Sequence, residues 1–218
     1  MRVLWLPSYY PNPYQKDNNI FIKNAAKALS KLVPVDVIHV VQLGCDKLAK
    51  KGAIHDKDDN FREMIYSFDF KPFGVKFIDA FLYNIKYNNL YNKLLNNYIK
   101  QYGKPDIIHV HEPLLAGLVV KKMMVVWEAQ YYISIYKQNF NNNQYLDKQL
   151  HRKVTAVLKK AKKVFTDDEV TAKNIESFFG KKGVKPIITN PQSEEAGAQS
   201  YYDLYKYVEK NDDFQSIG

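Results

Sequence analysis

Short apolar runs alternate along the chain with segments whose apolar residues recur at helical spacing. Residues 2–6 read as a first strand, and Pro7 opens a loop that holds Pro11 and Pro13. Asp17 is placed to cap a helix in which Ile20, Phe21, Ala25, Ala28, Leu29 and Leu32 share one face. Pro34 stops it, and residues 35–41 form a second strand. Strand, helix and strand make a βαβ unit, so a parallel sheet with right-handed crossovers is expected. His39 lies inside the second strand, where a satisfied structural histidine is expected.

Residues 44–60 are polar and read as a surface loop, and 61–70 as a third strand. From 75 to 102 the apolar positions follow a 3.6 period with Lys and Asn between them, which predicts one long or two shorter amphipathic helices. Residues 104–113 spell Lys-Pro-Asp-Ile-Ile-His-Val-His-Glu-Pro, a turn, a short buried strand and a Pro113 pre-set to open a helix. His111 and Glu112 then stand at the carboxyl end of a strand, where open α/β sheets place their ligands. The helix is expected to reach residue 122 and residues 123–127 to form another strand, although no turn residue separates the two. An aromatic, Asn-rich stretch covers 128–143, and a basic helix 144–162. A strand at 164–166 precedes a helix capped by Asp167 or Asp168 and ended by Gly180, and the last strand is 184–188. Residues 1–190 are thus expected to form a Rossmann-like α/β domain, a parallel sheet flanked by helices. A linker follows over 191–199, and a C-terminal helix over 200–218 docks back on the domain.

Composition narrows this reading little. The 218 residues, 46% of them hydrophobic, suffice for a large core, and the lone Cys45 excludes an internal disulfide framework. Without an apolar leader-type run near Met1, a cytoplasmic setting is expected. A net charge of +9 attracts phosphates or anionic lipid heads. Nucleic acid is not an expected partner, because only three arginines and no groove-reading motif are present. The helix within 75–102 either packs on the sheet or lies on an anionic membrane surface. No nucleotide-binding glycine motif, metalloprotease motif or cysteine pair occurs, so neither cofactor nor metal is expected.

Taken in order, four stretches resemble the N-terminal half of a GT-B retaining glycosyltransferase of the large family 4 type: Met-Arg-Val-Leu-Trp-Leu-Pro-Ser-Tyr-Tyr-Pro, Asn-Asn-Ile-Phe-Ile-Lys, the 104–113 corner and Ala172-Lys173-Asn174-Ile175. Asn190-Pro191 matches the point where relatives enter their second domain. The resemblance implies an acceptor-side domain whose cleft is completed by a second Rossmann-like domain carrying the nucleotide sugar. It implies catalytic roles for His111 and Glu112, with His111 facing the transferred sugar. It implies donor-phosphate contacts from the loop of Asn18 and Asn19, and a sugar acceptor held near His109, Glu128 and Tyr131.

Departures from that pattern matter equally. Asn18 and Asn19 stand where relatives carry glycine, and Ala129 where they carry a second active-site histidine. The donor domain does not follow residue 191, so the chain alone is expected to be inactive. Two other readings stay open. One is a binding or scaffold module, natural or engineered, whose old cleft is refilled by Trp127, Tyr131, Tyr132, Tyr136 and Phe140. The other is a recruiting subunit that meets a separate donor-domain chain or a membrane.

Overall fold

A computed structural model describes residues 1–43, 52–58, 60–127, 131–140, 146–180, 183–189 and 194–215. These form β1 (Val3–Pro7), α1 (Ile20–Ser30), β2 (Val35–Leu43), β3 (Gly52–Asp58), β4 (Phe61–Asp69), α2 (Lys76–Tyr102) and β5 (Ile107–His111). Then come α3 (Ala116–Trp127), β6 (Tyr131–Ile135), α4 (Lys148–Leu158), β7 (Lys163–Thr166), α5 (Glu169–Phe179), β8 (Pro186–Ile188) and α6 (Glu194–Gln215). The strands make one sheet in the order β3-β4-β2-β1-β5-β6-β7-β8. Seven of them run parallel, and β3 joins the edge antiparallel to β4.

Because side chains alternate across a strand, each central strand feeds two cores. Leu4, Leu6, Ile108, Val110, Tyr131, Ile133 and Ile135 point to one face, which α2, α3, α4 and α5 cover with Leu95, Val119, Val157 and Phe179. Val3, Trp5, Ile107, Tyr132 and Phe165 point to the other, covered by α1 through Ile22, Ala26 and Leu29 and by α6 through Ala198, Tyr201 and Tyr205. α1 and α6 also contact each other. No helix among the described residues is long and apolar enough to cross a membrane.

Several expectations are corrected. Residues 52–58, expected as loop, form β3, an edge strand paired antiparallel with β4. Residues 44–51 lie outside the described residues. The N-cap of α1 is Asn19 rather than Asp17, in the left-handed region at φ 54° and without a side-chain cap bond. Pro113 lies in a turn that continues through Leu115 at φ 49°, so the helix begins only at Ala116. Residues 123–127 continue that helix instead of starting a strand. An apolar run suits either structure, and with no turn residue before Met123 the helix continues. The next strand is Tyr131–Ile135, inside the aromatic, Asn-rich stretch. Asp168 is the cap of α5, accepting from the amides of Val170 and Thr171 at 2.9 and 3.2 Å. Residues 194–199, expected as linker, are the first turns of α6.

Tyr205 of α6 is buried against Trp5, His109 and Tyr132. Truncating it leaves a cavity over the centre of the sheet, so Tyr205→Ala is expected to cost about 3–5 kcal/mol. Tyr205→Phe keeps the ring but strips the hydroxyl from two polar neighbours, at about 1–3 kcal/mol. Urea unfolding of both variants measures this, and a Tyr205→Ala loss under about 1 kcal/mol would mean α6 does not seal this face.

Candidate functional site

Parallel registration brings the polar side chains together. Trp5 lies opposite His109 and Pro7 opposite His111 on β1 and β5, while His109 faces Tyr132 and His111 faces Ser134 across β5 and β6. His109, His111, Ser134 and Tyr136 therefore share the face that α6 covers. The two imidazoles stack with centroids 4.4 Å apart, and Trp5 lies 4.2 Å from the His111 ring. All are buried.

One order of donors lets every hydroxyl in the series donate once. Indole N–H only donates, so Trp5 Nε1 gives its proton to the Tyr205 hydroxyl at 3.3 Å. Tyr205 then donates to His109 Nδ1, which leaves His109 protonated on Nε2 and donating to Ser134 Oγ at 2.9 Å. Ser134 passes to the Tyr201 hydroxyl at 3.2 Å, Tyr201 to Tyr136 at 3.3 Å, and Tyr136 to His111 Nδ1 at 2.6 Å. The series ends on the Nε2–H of His111, a buried atom with no hydrogen-bond partner among the described residues. Burial lowers the pKa of His109 to about 3 and that of His111 well below 6.5, so both rings stay neutral as this order requires.

Glu112 is held in the left-handed region at φ 78°, an uncommon conformation for a residue with a Cβ. Its backbone amide and carbonyl and one carboxyl oxygen are tied down. Its amide donates to Ser134 O at 2.8 Å, its carbonyl accepts from Ser8 Oγ at 3.0 Å, and its Oε1 accepts from the Tyr136 amide at 2.9 Å. It thus clamps the ends of β1, β5 and β6, and burial raises its pKa to about 8.

The remaining expected site residues divide. Asn19 Oδ1 accepts from Gln138 Nε2 at 2.6 Å and Asn139 Nδ2 at 2.9 Å, joining the loop after β1 to the segment after β6. Asn18 bonds Gln15 and Asn19 within its own loop. Tyr131 lies on the opposite face of the sheet from the histidines, its hydroxyl donating to Val157 O at 2.6 Å, because residues 132, 134 and 136 take the histidine side. Glu128 and Ala129 lie outside the described residues. His39 is buried with Nδ1 3.0 Å from Pro7 O. Among the described residues no group of three or more His, Cys, Asp or Glu could hold a metal.

Sequence reasoning missed the members that complete the arrangement. Ser8 stood only as part of the first matching stretch, Ser134, Tyr201 and Tyr205 carried no site motif, and the available signal for the last two was a tyrosine pair at i, i+4 on the last helix. An open cleft of about 290 Å³ flanks the same rim, lined by Asn12, Lys16, Lys23 and Glu63 among others. Glu63 holds Lys23 Nζ at 3.0 Å and the Tyr10 hydroxyl at 2.8 Å.

No family model matches the chain, and no curated protein sequence matches it. Solved structures do. A sucrose-phosphate synthase chain from Thermosynechococcus elongatus is similar with a TM-score of 0.65 at 16% identity, over 95% of this chain and 99% of that one. Arabidopsis thaliana UGT89C1 complexed with UDP gives 0.54 at 10% identity, over 88% of this chain and 52% of that one. An alpha,alpha-trehalose-phosphate synthase (UDP-forming) from Burkholderia xenovorans, in complex with glucose-6-phosphate, gives 0.51 at 8% identity, over 82% and 43%. The chain spans about half the length of the last two, and its fold is that of one domain of the GT-B glycosyltransferases.

The buried titratable groups set the pH dependence of stability. His39, whose pKa burial lowers to about 4, joins His109 and His111 in staying neutral in the fold while their unfolded forms protonate near 6.5. Their contribution is complete above pH 6.5 and is lost as pH falls. Glu112 keeps its proton in the fold up to about pH 8 but loses it near 4.5 when unfolded, so stability falls as pH rises through that window. Each proton is worth about 1.4 kcal/mol per pH unit. Three histidines outweigh one carboxyl below pH 6.5, and above it only Glu112 acts. Urea unfolding across pH 4.5–8 is expected to show a maximum near pH 6.5, with Glu112→Gln flattening the alkaline side; a monotonic profile would contradict this assignment.

Proposed function

We propose that this chain is the acceptor-side half of a GT-B glycosyltransferase cleft. A second Rossmann-like domain, elsewhere in a longer protein or on another chain, supplies the nucleotide-sugar site. The observation that carries the reading is the His111–Glu112 corner at the carboxyl end of β5, with the open cleft of Lys16 and Lys23 at the same end of the sheet, within a one-domain GT-B fold. In this role Glu112 is a positioning residue that holds the corner, and the loop of Asn18 and Asn19 forms the rim toward the donor. Transfer needs both substrates held in line and the departing diphosphate stabilised, which half a cleft does not supply.

A second reading is a binding or scaffold module whose cleft has been filled. It is favoured by Tyr136 and Tyr201, which cover His111 completely.

One set of measurements separates the two. The chain is incubated with UDP-glucose and glucose-6-phosphate, UDP release is followed, and amide shifts are recorded with each ligand alone. The half-cleft reading expects no release above the blank, together with millimolar-range shifts at Lys16, Lys23 and the 111–113 corner caused by the sugar phosphate. Release by the isolated chain would overturn the inactivity. No shift with either ligand would overturn the half-cleft reading in favour of the filled module.

A further inference from the structure

We propose that the first half of α2 and the turn before it form a docking surface for an anionic lipid bilayer. α2 is divided along its length. Tyr87, Tyr91, Leu94, Leu95 and Tyr98 in its second half are buried on the sheet, whereas the first half turns large apolar side chains to solvent. Phe73 is 77% exposed, Phe77 82% and Phe81 58%, with Ile78 and Ile85 beside them. Phe77, Phe81 and Ile85 recur every four residues, so they form one stripe, and the turn at Gly74 (φ 95°) sets Phe73 at its head. Contiguous exposed apolar surface of this kind marks an interaction site.

Charge decides the occupant. The stripe runs into a groove of about 390 Å³ between α2, α3 and α4, with an apolar floor that includes Leu115 and Leu118 and with Lys121 and Lys153 at its edge. Lys71, Lys76 and Lys86 border the stripe itself, all exposed. The only acid from residue 71 to 90 is Asp79, and its carboxylate is taken up by the amides of Phe73 at 2.6 Å and Gly74 at 3.0 Å. Protein interfaces are depleted of lysine, whereas an anionic leaflet attracts it and accommodates aromatic rings at headgroup depth. Phenylalanines ringed by lysines therefore fit phospholipid better than a second protein. α2 starts just beyond the carboxyl end of β4, so this surface lies at the same end of the sheet as the His111 corner. The inference does not depend on the sugar-transfer reading.

The test is flotation of the whole chain with phosphatidylcholine vesicles, with and without phosphatidylglycerol, at low and high salt. Analytical ultracentrifugation is run in parallel. Binding is expected on phosphatidylglycerol vesicles at low salt and to fall by about tenfold at high salt or on phosphatidylcholine alone. The variant Phe77→Ser/Phe81→Ser, exposed positions whose change leaves the circular dichroism spectrum intact, loses binding, and Lys121→Gln/Lys153→Gln weakens it. Three results overturn the proposal: no flotation with phosphatidylglycerol at low salt, flotation unchanged in the phenylalanine variant, or a stable self-association that this variant abolishes, which would assign the stripe to a second copy.

Discussion

The indole N–H of Trp5 can only donate, and that constraint organises the centre of this molecule. β1, β5 and β6 turn Trp5, His109, His111 and Ser134 to one face of the sheet, where the strands on either side place Val37 beside Trp5 and Phe165 beside Ser134. Buried polar groups need partners, and the sheet has no spare ones to offer. α6 brings two tyrosines, four residues apart, onto that face. The Tyr205 hydroxyl accepts from Trp5, and the two hydroxyls join His109, Ser134 and Tyr136 into one series up to His111. The helix is thus held by direction-specific bonds as well as by area.

Much of the fold was legible because its signals are local. Strand runs, helical spacing and the Pro and Gly punctuation around residues 104–113 placed β1, β2, β4, β5, α1, α2 and α5 within a few residues. What failed was local ambiguity. The run at 123–127 fits a strand or a helix equally by periodicity, and β3 reads as loop because its sequence ends in four consecutive polar residues, His55 to Asp58. The Ser, Glu, Ala and Gly of 193–199 suggested a linker, yet Glu194, Glu195 and Ala196 are good formers at a helix start.

The candidate site was legible only at its tip. His111 and Glu112 stand in a recognisable corner, but what surrounds them is assembled by register between distant segments. Tyr205 is 96 positions from His109, and Trp5 is 200 from Tyr205. No spacing rule in the sequence reaches that far. The same holds for Tyr131, assigned to the acceptor side and found across the sheet, because a two-residue period decides its face once His111 pairs with Ser134. Two surfaces at the carboxyl end of the sheet remain available: the cleft by Lys16 and Lys23, and the phenylalanine stripe of α2. Between them the histidines lie closed beneath α6.

The central claim is that the His109 and His111 rings are sealed, neutral and ordered by the tyrosines of α6. Nitrogen-15 NMR of histidine-labelled protein reads each ring's tautomer and charge directly. The account predicts that both rings carry hydrogen on Nε2 alone and do not titrate between pH 5 and 8. A ring that titrates near 6.5, or carries its proton on Nδ1, would contradict it.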